Sequence, residues 1–274
     1  MRIGIVAPGR SISKEVAERV TALAAERFAG RGVALRFHPQ CFLQAGHFAG
    51  DDAARADALI ETANDPEIDA VWFAAGGYGA CRLLDRVIPA LDARAKDKTF
   101  LGYSDAGFLL GALYKAGCTA PVHGPMPKDI EREGGDAAVA RALTFLLEPD
   151  TSRIERSIVG GAKTAAFNLT VLSHLIGTPY LPDLSGHVLM LEDVSEHLYA
   201  VDRALFHVTS APEVRRVAGI RLGRVSDIPE NDIPFGADEG AIVKHWCAHA
   251  DIPYLGRADI GHDAENKIVP FGAR

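Results

Sequence analysis

Short apolar runs alternate with longer amphipathic stretches through the first half of the chain. Ile3–Ala7 is followed by helical spacing from about Ser13 to Phe28, and Val33–Phe37 reads as a second strand. Asp51–Ala63 reads as a helix ended by Asn64-Asp65-Pro66, and Ala70–Ala75 as an apolar strand. A glycine turn then leads into a helix near Ala80–Ile88. Thr99–Tyr103 is a strand running into Ser104, with a helix over Ala106–Ala116 behind it. Strands alternating with helices of this length predict a parallel sheet sandwiched by helices.

The pattern breaks around Glu148–Arg156, which is polar and turn-forming. We place a domain boundary there, giving an N-terminal α/β domain over residues 1–150 and a C-terminal domain over 151–274. The second half predicts a helix at Thr164–Ile176, stopped by Gly177-Thr178-Pro179. Shorter strands follow at Val188–Leu191, Val217–Leu222 and Lys267–Val269, with helices near Tyr199–Val208 and Glu239–His249. The fold class is thus α/β, with a smaller α+β C-terminal domain.

Composition narrows the function. The 274 residues are 48% hydrophobic and 24% charged, an ordinary globular balance that supports a large core. A formal charge of −7, a pI near 5.8 and scattered Lys and Arg argue against nucleic acid or an anionic membrane as partner. Cys41, Cys81, Cys118 and Cys247 lie far apart without metal spacing, as expected of reduced thiols. Met1–Ala7 carries one positive charge and is ended by Pro8-Gly9, so it reads as a buried strand and not as a secretion signal or span. The expected location is the cytoplasm.

Four segments could carry chemistry. In Gly102-Tyr103-Ser104-Asp105-Ala106-Gly107 a serine stands between a strand and a helix, where a tight turn exposes its hydroxyl and the helix start offers amides to an oxyanion. The spacing departs from G-x-S-x-G, and Ser104-Asp105 could equally serve as a helix cap. Gly76-Gly77-Tyr78-Gly79 follows a strand, so its amides point out at the sheet edge, fit for a phosphate or an oxyanion or simply for a tight connection. His262 sits in the polar loop Asp259–Asn266, unlike His174, His207, His245 and His249, which fall in regular patterns. Glu192 ends an apolar strand, where a carboxylate can face a cleft. Spacing nominates these residues without assembling them.

Taken in order, the segments resemble the LD-carboxypeptidase family of serine peptidases, which includes the microcin C7 self-immunity peptidases. The resemblance runs from Ile5-Val6-Ala7-Pro8 through Phe48-Ala49-Gly50-Asp51-Asp52-Ala53-Ala54-Arg55, Gly76–Gly79 with Arg82-Leu83-Leu84, and Gly102–Asp105. It continues with Gly177–Leu184, Leu191-Glu192-Asp193-Val194-Ser195-Glu196, Gly261-His262 and Pro270-Phe271-Gly272.

The resemblance implies Ser104 as nucleophile, His262 as base and then acid, and Glu192 as the carboxylate orienting His262, with Glu196 less favoured. It implies an oxyanion hole from the amides of Gly77 and Asp105. The implied reaction is loss of terminal D-alanine from a murein tetrapeptide in cell-wall recycling, by a homodimer with no metal or organic cofactor. Arg82, Lys163 and Arg203 are candidates for the substrate carboxylate, Arg82 foremost.

The sequence departs from the family pattern at Ala75, where arginine is usual, and at Ala166-Phe167, where two glycines are usual. One competing expectation is an immunity-type peptidase cutting a peptidyl- or aminoacyl-nucleotide, with Trp246 as a stacking surface. Another is a small-molecule binding protein without catalysis.

Overall fold

The computed structural model describes residues 1–148, 154–158 and 160–273, so the expected boundary at residue 150 lies outside the described residues. In chain order the strands are β1 (Arg2–Val6), β2 (Ala34–Phe37), β3 (Ala70–Phe73), β4 (Thr99–Gly102) and β5 (Ala120–His123). Then come β6 (Lys163–Asn168), β7 (His187–Val194), β8 (Gly219–Ser226), β9 (Tyr254–Arg257), β10 (Val269–Pro270) and β11 (Gly272–Ala273).

They form two sheets, ordered β10-β5-β4-β3-β1-β2 and β11-β6-β7-β8-β9. In the first, β1 to β5 are parallel to their neighbours and β10 is antiparallel to β5; in the second, β6 to β9 are parallel and β11 is antiparallel to β6. All four residues of β3 are buried, as a parallel strand covered on both faces requires. The last strands join the two halves. β10 adds to the first sheet and β11 to the second, while the Phe271 amide between them donates to Pro121 O at 2.9 Å.

Most expected elements stand within a few residues of their places. The segment Thr164–Ile176 differs. Its first half is β6, between β7 and β11, and the helix begins only at Leu169 and runs Leu169–Leu175. Thr164-Ala165-Ala166-Phe167 is buried, and two alanines do not separate a helix from a covered strand by pattern. Asn168 sets the start of the helix, its Oδ1 accepting from Val171 N at 3.0 Å.

β5, β9 and the helix Gly135–Leu147 were not anticipated. β5 is short and contains Pro121, which is compatible with a strand where no ladder N–H is needed. Among the described residues no helix is long and apolar enough to cross a membrane. The four cysteines are free, and burial pushes the Cys41 thiol up to about 12.

Candidate active site

Both sheets present the carboxyl ends of their parallel strands to one crevice, the usual place for a ligand in open α/β sheets. From the first sheet come the turns after β1, β3, β4 and β5. From the second come the ends of β6 and β7 and the loop before β10.

Ser104 lies immediately after β4. Tyr103 is extended at φ −155, and Ser104 itself is left-handed at φ 60. A left-handed serine is strained, and here the strain turns the chain sharply into a 3₁₀ turn (Ser104–Ala106) and then the helix Gly107–Lys115. The capping alternative is not what the hydroxyl does, because Ser104 Oγ lies 2.9 Å from His262 Nε2. Asp105 does not cap either. Its carboxylate accepts from Ala80 N at 2.7 Å, tying the helix start to the glycine loop, and burial pushes its pKa up to about 6.

His262 Nδ1 lies 2.6 Å from Glu192 Oε2, with Glu192 wholly buried and His262 9% exposed. Glu192 lies within β7, paired in register with Asn168 of β6, at the point where the β7–β8 register shifts between Leu191 and Asp193 with the extra residue on β8. The loop bearing His262 is clamped from the first half of the chain. Arg132 Nη1 donates to His262 O at 2.7 Å, and Arg141 Nη1 donates to Ala264 O and Asn266 O at 2.8 and 2.9 Å. The Tyr103 ring packs on the imidazole with centroids 4.9 Å apart. Burial lowers the pKa of His262, but the charge and hydrogen bond of Glu192 outweigh it, and the net shift is upward.

The glycine loop lies against the serine. A Cβ on Gly76 would come within 3.0 Å of both Cβ and Oγ of Ser104. The loop is held from behind by Arg55, fully buried, whose guanidinium donates to Pro8 O, Gly79 O (3.0 Å) and Asp52. In the sequence Arg55 is marked only by its place in the Phe48–Arg55 run that resembles the family.

Two cavities open on either side of Ser104, sharing Ser104 and Gly77 in their walls. One, of about 230 Å³, is lined by Arg10, Lys128, Asp129, Arg132, Ala75 and His262 among others. The second, of about 520 Å³, is lined by Asp105, Phe108, Asn168, His174, Asp193 and Glu196 among others. Glu196 thus stands on a cavity wall, and it is Glu192 that meets the imidazole. Asp193 accepts from Asn168 Nδ2 (2.7 Å), Thr170 N (3.2 Å), Thr170 Oγ1 (2.9 Å) and Val194 N (2.9 Å), fixing the ends of β6 and β7 together.

Arg82 lines neither cavity. It pairs with Asp52 at 2.6 Å, and its guanidinium stands 5.3 Å from the Phe48 ring centroid. Lys163 begins β6 at its far end, and Arg203 lies 5.7 Å from the Tyr199 ring. The cations that do line the serine cavity are Arg10, Lys128 and Arg132, which sequence reasoning missed. Trp246 lines neither cavity, and its Nε1 donates to Asp202 Oδ1 at 3.0 Å.

Of the two departures from the family pattern, Ala75 lines the smaller cavity. Ala166 and Phe167 are core residues, Phe167 packing edge-on to Phe271 at 5.2 Å.

This arrangement can take a proton from the serine hydroxyl, pass it on and stabilise the resulting imidazolium. Family models for the LD-carboxypeptidase N-terminal domain and the LD-carboxypeptidase C-terminal domain match residues 3–124 and 161–274. A murein tetrapeptide carboxypeptidase of Pseudomonas aeruginosa is 27% identical over 299 residues, covering 99% of this chain and 91% of that protein. The muramoyltetrapeptide carboxypeptidase of Oxalobacter formigenes superposes with a TM-score of 0.83 at 25% identity, over 99% of this chain and 93% of that one. The microcin C7 self-immunity protein MccF, solved with aspartyl sulfamoyl adenosine, shares the fold with a TM-score of 0.80 at 18% identity, over 99% and 91% of the two chains.

Proposed function

The chain belongs to the LD-carboxypeptidase family, and on that premise we propose that it is a serine carboxypeptidase releasing terminal D-alanine from murein tetrapeptide. The observation that carries the proposal is the hydrogen-bonded series Ser104–His262–Glu192, at 2.9 and 2.6 Å, opening on a cleft.

In this mechanism Ser104 Oγ attacks the carbonyl carbon of the scissile amide as His262 Nε2 takes its proton. Glu192 holds the ring through Nδ1 and balances the imidazolium. The oxyanion turns toward the amides of Gly77 and Asp105, one in the glycine loop and the other where the chain enters its 3₁₀ turn. His262 then gives the proton to the departing amine. Water, activated by the same imidazole, hydrolyses the acyl-enzyme and restores the serine. The route through serine calls for no metal or organic cofactor.

The same proposal includes a division near residue 150, bracketed by the family-model limits at 124 and 161. It also includes a cytoplasmic role in cell-wall recycling and a homodimeric working form, which sedimentation velocity tests. The reaction is tested by incubating purified protein with L-Ala-D-Glu-meso-diaminopimelate-D-Ala and following the products by mass spectrometry. Loss of one alanine is expected. If a folded protein leaves that peptide intact and instead cuts an aminoacyl-sulfamoyl adenylate, the murein assignment fails in favour of the immunity-type reaction.

A further inference from the structure

We propose that Arg10 receives the carboxylate of the departing amino acid and so confines cleavage to the end of the peptide. This rests on the carboxypeptidase reading above.

The two cavities that meet at Ser104 carry opposite charge. The smaller holds Arg10, Lys128 and Arg132 against one carboxylate, Asp129. The larger carries Asp105, Asp193 and Glu196, with no Lys or Arg in its wall. A peptide bound across Ser104 places its acyl part on one side and its leaving residue on the other. A terminal carboxylate beside Asp193 and Glu196 would meet like charge, so the leaving residue belongs in the smaller cavity.

Within that cavity two of the three cations are already engaged. Lys128 pairs with Glu131 at 2.7 Å, and Arg132 binds Asp129 (3.0 Å) and the carbonyl of His262 (2.7 Å). Among the described residues, the Arg10 guanidinium has no hydrogen bond, ion pair or ring contact. Its position is nevertheless fixed at the root. Arg10 N donates to Gly76 O at 3.2 Å, and the aliphatic stem lies across Gly77. A Cβ on Gly77 would come within 2.1 Å of Arg10 Cδ and 2.4 Å of Cγ. The bare backbone at Gly77 therefore lets the guanidinium stand over the loop that also faces the oxyanion. A planar fork of donors matches a carboxylate in two parallel bonds, which a lysine ammonium cannot reproduce.

The test compares L-Ala-D-Glu-meso-diaminopimelate-D-Ala with the same peptide ending in D-alaninamide, using the full-length parent protein, Arg10→Met and Arg10→Lys. The parent is expected to favour the free acid. Arg10→Met should lose about 10- to 100-fold in kcat/KM on the acid, chiefly through KM, and show little preference between acid and amide. Arg10→Lys should recover part of the preference, which repair of a merely structural role would not do. If Arg10→Met keeps the parent's preference for the acid, the assignment of Arg10 is overturned while the carboxypeptidase reading stands. If the parent cleaves neither peptide, both are overturned.

Discussion

His262 Nδ1 lies 2.6 Å from Oε2 of Glu192, a carboxylate with no exposure to solvent. Burial lowers the imidazole pKa, yet the charge and hydrogen bond of Glu192 prevail and hold it above its ordinary 6.5. As the base, His262 works only when neutral, so activity is lost as pH falls through that raised pKa. The acid limb of kcat/KM against pH should lie above 6.5. Glu192→Gln removes the charge, so the limb should move down and the plateau should fall by about 10²- to 10⁴-fold. A limb that stays in place in Glu192→Gln would show that Glu192 does not set the imidazole.

Gly76 is required by contact with the nucleophile and not by its backbone angles. A methyl group there meets Ser104 Cβ and Oγ at 3.0 Å. Gly76→Ala should displace the hydroxyl by a few tenths of an ångström and lower kcat on the order of 10²-fold, with only a small change in melting temperature. Equal kcat in the two proteins would contradict this account of the loop.

Asp105 is buried and its carboxyl is raised to about 6 from an ordinary 3.8. Its contribution to stability is therefore full below pH 3.8 and is lost as pH rises through about 6. At neutral pH the buried carboxylate costs about 2–3 kcal/mol. Asp105→Asn keeps an acceptor for Ala80 N without the charge. Thermal melts should show its advantage over the parent growing between pH 4 and pH 7.5, and a gap constant with pH would refute the burial argument.

Arg55 fastens the turn after β1 and the glycine loop to its own helix through Pro8 O, Gly79 O and Asp52. Arg55→Met fills much of the volume but leaves two carbonyls without their donor. Urea unfolding should show a loss of about 2–4 kcal/mol. A loss under about 0.5 kcal/mol would mean that the loop is held by something else.

How much of this was legible in the sequence follows from what each residue's partners are. The parallel strands of the first half could be read because a strand covered on both faces is an apolar run, as Ala70–Phe73 is. Thr164–Phe167 could not, since alanine suits a helix and a covered strand alike. Ser104, Glu192 and His262 each occupy a place where function is common, but 158 residues separate Ser104 from His262. Local spacing carries no information on that meeting, and only the resemblance to a family assembled them. Arg82 stood out in the sequence because it follows the glycine loop, yet Asp52, from an earlier helix, holds it. Arg10 had no local mark. It matters because Gly77 lets its stem pass and because its cavity companions are engaged elsewhere.

The most direct test of the central claim is the rate of D-alanine release from L-Ala-D-Glu-meso-diaminopimelate-D-Ala by the parent and by Ser104→Ala, with folding of both verified by circular dichroism. The account predicts steady release by the parent and a fall of at least about 10⁴-fold in Ser104→Ala. Release by the variant within about tenfold of the parent would contradict it, because the acyl-enzyme route has no other nucleophile in this account.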